Sequence, residues 1–130
     1  AITVAGSSYV KLVVVINCVT QAGTPSQVTM ALNATTTNYK YSYATYSATP
    51  TLSGTTTGSA FNIGAGATLQ SGYSIVAEIH NVANAGRKHV SFYADVGAGT
   101  GSVDTGAVTS ITLATTNYPS SATYTIYGVK

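Results

Sequence analysis

The chain has 130 residues, of which only 6% are charged: five Lys or Arg and three Asp or Glu. Ordinary soluble domains are about a quarter charged. A hydrophobic content of 45% with ten Tyr excludes a disordered chain. A net charge of +2 from scattered cations lacks the basic cluster of a nucleic-acid binder, and the longest apolar run, Leu12 to Ile16, is far short of the ~20 residues of a spanning helix.

One domain over residues 1–130 follows from this length, with enough buried surface for its own core. The single Cys18 allows no internal disulfide framework. No basic leader with a following apolar helical block opens the chain, so no signal peptide is expected within it.

Thr, Ser, Gly, Ala, Val and Tyr dominate, a vocabulary of strands and turns. The first strand runs from Tyr9 to Thr20, with Leu12, Val14, Ile16 and Cys18 on one apolar face. Gly23-Thr24-Pro25-Ser26 turns the chain. Gln27 to Asn33 alternates as the second strand, with Val28, Met30 and Leu32 on one side. Asn38 to Tyr46 is a third, with Tyr39, Tyr41 and Tyr43 sharing a face. An uncharged loop is expected from Ser47 to Ser59, and a short edge strand from Phe61 to Ile63 before a turn at Gly64–Gly66. Tyr73 to Val82 and Arg87 to Val96 form a hairpin with its tip at Asn84-Ala85-Gly86. Ile75, Ala77, Ile79, Val90 and Phe92 point inward. Gly97 to Gly106 reads as a mobile Gly-rich connector, and Ala107–Ala114 and Ala122–Val129 are the last strands. About seven to nine strands at this spacing predict an all-β fold, a single antiparallel β-sandwich of the jelly-roll type.

Polar chemistry concentrates in the Tyr73–Val96 hairpin. Glu78, His80, Arg87, His89, Tyr93 and Asp95 are expected on one face. Two His and a carboxylate could hold zinc, but a cross-strand ladder in which Glu78 and Asp95 offset Arg87 is the simpler expectation. Lys88 points the other way, near the tip, and is expected to be solvated. No catalytic, metal or cofactor residue is assigned: the three carboxylates show no acid/base pairing, Asp104 falls in the expected connector, and Cys18 lies on an apolar face. The Gly97–Ser102 run lacks the Lys and the helix of a phosphate loop. The Tyr39/Tyr41/Tyr43 stripe suits a sugar platform, or packing in a core or interface. Asn33-Ala34-Thr35 matches a glycosylation sequon.

Four stretches carry a resemblance. They are Ile79-His80-Asn81-Val82-Ala83-Asn84-Ala85, Arg87-Lys88-His89-Val90, Thr109-Ser110-Ile111-Thr112-Leu113 and Tyr124-Thr125-Ile126-Tyr127-Gly128-Val129-Lys130. Over residues 73–130 the chain resembles a module of tailed-bacteriophage virion proteins. That resemblance implies a jelly-roll subunit, often a homotrimer, that acts as a capsid cement (decoration) protein or a fibre component. Its partners would be copies of itself and the major capsid protein or another virion protein, at the virion surface after assembly in the host cytoplasm. It implies no catalytic residue and no cofactor. The short Gly-rich connector departs from the pattern and argues against a receptor contact there.

The expected function is therefore non-enzymatic. A charge-poor Thr/Tyr surface is cheap to desolvate against other protein, which favours a head-stabilising decoration protein. The alternatives are a glycan-binding fibre domain and a secreted filament or surface-layer subunit. Tyr39, Tyr41, Tyr43, Glu78, His80, Arg87, His89 and Asp95 are the candidate interface residues.

Overall fold

Alternation at period two puts every second side chain on the same side of a strand, and this chain alternates through most of its length. A computed structural model describes residues 1–20, 27–65, 72–115 and 121–130. Among these are eleven strands: β1 (Ile2–Thr3), β2 (Lys11–Thr20), β3 (Thr29–Leu32), β4 (Tyr39–Thr45), β5 (Leu52–Gly58), β6 (Phe61–Asn62), β7 (Ser74–His80), β8 (Gly86–Ala94), β9 (Gly97–Thr105), β10 (Ser110–Ala114) and β11 (Ser121–Val129). A 3-10 turn, Gly6–Ser8, links the first two. The turn expected over residues 23–26 lies outside the described residues.

The strands form two antiparallel sheets, a sandwich-like arrangement. The smaller sheet has the order β1-β10-β3-β6 and the larger β11-β2-β7-β8-β9-β4-β5. Pairing is nested: β11 with β2, β10 with β3, β9 with β4 and β8 with β7. A chain folded back along itself, as in a jelly roll, pairs in this way. The strand count exceeds the seven to nine expected, because β1, β5 and β9 form where no strand was expected.

Leu12, Val14 and Ile16 of β2, Ile75, Ala77 and Ile79 of β7, and Val90 and Phe92 of β8 form the inner face of the large sheet. Met30, Leu32, Phe61 and Ile111 meet them from the small sheet. Tyr39 of β4 is fully buried and meets Phe61 edge to face, with ring centroids 4.7 Å apart. Its hydroxyl accepts a hydrogen bond from the Leu32 N–H at 2.8 Å and donates toward the Thr35 carbonyl at 3.1 Å. One side chain thus ties the two sheets and the connection between β3 and β4.

Two segments expected as loops are strands. Residues 52–58 pair with β4 as the outer edge of the large sheet; their β-branched Thr55-Thr56-Thr57 run outweighs the glycines around it. The supposed Gly-rich connector is β9, hydrogen-bonded to β8 on one side and β4 on the other. Its inward positions Gly99 and Gly101 lack side chains because neighbouring rings fill their space. A methyl group on Gly99 would stand 2.6 Å from the Phe92 ring, and one on Gly101 would stand 2.8 Å from the Phe61 ring. Glycine in a strand interior often marks such a close approach.

Candidate functional site

The hairpin β7–β8 supplies most of the chain's polar chemistry. Gly86, at φ 106°, makes the backbone turn that closes its tip. Asn81 fastens that tip by donating to the Arg87 carbonyl at 2.9 Å. Lys88 is inward, in alternation with Val90 and Phe92, and is completely buried rather than solvated. Carbonyls of the tip and of the end of β9 replace water around the ammonium. Lys88 Nζ donates to Asn84 O at 2.6 Å, Gly86 O at 3.0 Å and Thr105 O at 3.2 Å. Burial lowers its pKa, partly opposed by the charge of Asp104.

Glu78, His80, Arg87, His89, Tyr93 and Asp95 do share the outward side, but their pairing differs from the expected ladder. Lys11 Nζ lies 3.2 Å from Glu78 Oε2, and His80 Nε2 lies 3.6 Å from the same oxygen. Arg87 pairs with Asp104 at 3.3 Å, because strand register sets those two residues opposite each other and the segment of Asp104 is a strand. Asp95 accepts from the Ser74 N–H at 2.7 Å. His80 and His89 face each other directly across β7 and β8. Among the described residues, no group of three His, Cys, Asp or Glu is arranged to hold a metal ion.

The tyrosine stripe lies on the inner side of β4. Tyr39 is in the core, and half-buried Tyr41 and Tyr43 stack on each other with centroids 6.3 Å apart. Tyr41 also packs toward Phe61 at 6.5 Å. These rings are engaged with the protein's own interior. The Cys18 side chain lies outside the described part. Asn33 of the sequon is a clamp at φ 53°. Its amide nitrogen donates to the Ala107 carbonyl at 2.8 Å, and its oxygen accepts from the Thr109 N–H at 2.8 Å. The side chain needed for glycosylation is thereby committed to pinning the β9–β10 connection.

The outward side of the large sheet has two parts, which register places end to end. Val129, Lys11, His80, His89, Ser102 and Lys40 form one cross-strand row, with Arg87 and Asp104 beyond it. Farther along the strands runs an uncharged row of Thr125, Val15, Val76, Tyr93, Ala98, Ala44 and Leu52. Tyr127 sits beside it, opposite Val13. Leu52 is 80% exposed, Tyr127 56% and Tyr93 54%. Val13, Val15, Val76 and Ala98 between them are half-buried, and exposed apolar side chains grouped on one face are a feature of interaction surfaces. Between the two parts lies a shallow depression of about 510 Å³, lined among others by Lys40, His89, Ser91, Thr100 and Ser102.

The charge-poor composition pointed toward such a surface, but its place depended on β9. Ala98 and Ala44 join Tyr93 to Leu52 only once residues 97–105 are recognised as a strand. The period-two glycines at 97, 99 and 101 were the signal for that strand. Rings of adjacent segments explain Gly99 and Gly101, and the backbone of β4 with the Ala65 methyl explains Gly97.

No helix among the described residues is long and apolar enough to cross a membrane. No protein-family model matches the chain, and no curated protein or solved structure matches it.

Proposed function

We propose that this protein is a non-enzymatic structural subunit that packs against other protein chains through the outer face of its large sheet. The specific form we favour is a bacteriophage decoration protein, which binds an assembled head at the virion surface and stabilises it. The observation that carries the reading is the uncharged band of Val13, Val15, Val76, Tyr93 and Tyr127 across strands of a chain with few charges. Burying it removes apolar area from water with little desolvation of charge. The resemblance of residues 73–130 to virion modules agrees with this. A subunit that binds only the assembled shell stabilises it by mass action.

The test is light scattering of the pure protein together with sedimentation against heads of the phage that encodes it. Self-association or co-sedimentation is expected, with Tyr93→Lys weakening it. A strictly monomeric protein that leaves such heads unbound contradicts the proposal.

A second reading, a glycan-binding fibre domain, is favoured by the hydroxyl-lined depression rather than by the tyrosine stripe. In that case Lys40→Ala weakens adsorption to host cells and leaves particle stability unchanged. A blank glycan array and unchanged adsorption contradict it.

A further inference from the structure

The large sheet ends in β5 on one side and β11 on the other. A free edge presents unpaired backbone N–H and C=O groups, and natural proteins guard it with charge, proline, a bulge or a covering element. β5 is guarded: its register with β4 shifts between Tyr39 and Tyr41, and Gly54 and Gly58 interrupt it. β11 is longer, at nine residues, and contains neither charge nor proline. Its register with β2 is unbroken from Ala122 to Val129, and the one shift lies at its first residue. Among the described residues no strand pairs with its other edge.

A second feature lies at the same place. A groove of about 270 Å³ runs between β1 and β11, with Ile2, Val4, Tyr9, Leu12 and Ile126 in its walls. Tyr124 lines it as well and remains 56% exposed.

We propose that β11 pairs antiparallel with β11 of a second copy, about a two-fold axis at Thr125. This deepens the proposed function and rests on its reading that the chain assembles. The occupant follows from the strand itself. With Thr125 opposite Thr125, all of residues 121–129 overlap. Tyr124 then faces the partner's Ile126, Thr123 faces the partner's Tyr127, and Ala122 faces the partner's Gly128. Aromatic with β-branched and Thr with Thr are stabilising cross-strand neighbours. None of the chain's charges lies in the segment, so two copies meet without like-charge repulsion. The partner's Tyr124 and Ile126 continue the inward face across the mouth of the groove. On the outer side, the bands of Val13, Val15 and Tyr127 in the two copies become one continuous surface. The contact is isologous and therefore closes at two chains.

Two substitutions test it, Thr125→Lys and Thr125→Glu, at an exposed position outside the core. Light scattering is expected to give twice the 13.2 kDa chain mass for the native sequence. Each variant alone is expected to give the single-chain mass, with a circular dichroism spectrum of folded β-sheet. An equimolar mixture of the two is expected to return to the double mass, since the axis sets the introduced ammonium of one chain against the introduced carboxylate of the other. Variants that keep the native mass overturn the pairing, as does a mixture that stays monomeric. A native protein that is monomeric yet sediments with phage heads overturns this inference alone. One that is monomeric and leaves heads unbound overturns the proposed function too.

Discussion

The two parts of the large sheet's outer face handle their side chains in opposite ways. At the hairpin end the charges find partners within the chain: Lys11 and His80 on Glu78, Arg87 on Asp104, Asp95 on a backbone amide, and Lys88 inside a carbonyl cage. Across the uncharged band, Tyr93, Tyr127 and Leu52 leave most of their area in water. The polar cluster that attracts attention in the sequence is largely self-satisfied. On the proposed reading the uncharged band is the part that meets another molecule, and missing charge marks that contact.

Several substitutions sharpen or break that contrast. Lys88→Met should have the largest effect on stability, because it strands three carbonyl oxygens without their donor. A loss of about 2–4 kcal/mol is expected in denaturant unfolding; a neutral result would mean that the caged ammonium is replaceable by packing alone. Gly99→Val comes next. Its side chain must enter the space of the Phe92 ring, and overpacking of this kind costs about 1–3 kcal/mol. Tyr39→Phe leaves the buried Leu32 N–H without its acceptor and should cost about 1–2 kcal/mol. Arg87→Ala should cost under about 0.5 kcal/mol, since both partners of that surface pair are well exposed to solvent.

Alkaline titration separates the first and third of these. Burial raises the Tyr39 pKa above 10.0 in the folded state, against a weaker lowering by the Leu32 backbone hydrogen bond. Above about pH 10 the unfolded chain therefore releases a proton that the native state retains, and stability falls. Lys88 acts in the opposite sense. Its folded pKa lies below 10.5, so in the window between the folded and unfolded values the unfolded chain holds more protons and stability rises with pH. Tyr39→Phe should flatten the alkaline loss, and Lys88→Met should deepen it. Unfolding curves between about pH 8 and 11 read both.

The inward pattern of β2, β3, β7 and β8 was legible in the sequence because their apolar residues recur at strict period two. Leu12, Val14 and Ile16, or Ile75, Ala77 and Ile79, need no tertiary knowledge to be placed on one face. β9 was hard to read for a physical reason: three of its inward positions are glycines, and the space beside Gly99 and Gly101 is filled by Phe92, Phe61 and Tyr41 of other segments. Composition saw flexibility where packing required the absence of a side chain. The direction of Lys88 was readable from alternation, but its burial depended on the carbonyls of the tip and of the end of β9 around it. The outward grouping of Glu78, His80 and His89 was readable as well. The actual partners, Lys11 and Asp104, come from β2 and β9, whose register no local pattern specifies.

Hydroxyl-radical footprinting of the assembled protein, bound to its own copies or to phage heads, tests the central claim most directly. Tyr93 and Tyr127 lie on the uncharged band, whereas His80, with its side chain 47% exposed, lies at the charged end of the same face. Protection of Tyr93 and Tyr127 with continued oxidation of His80 is the predicted result. Equal oxidation of all three in the assembled state would contradict the inference from missing charge to contact.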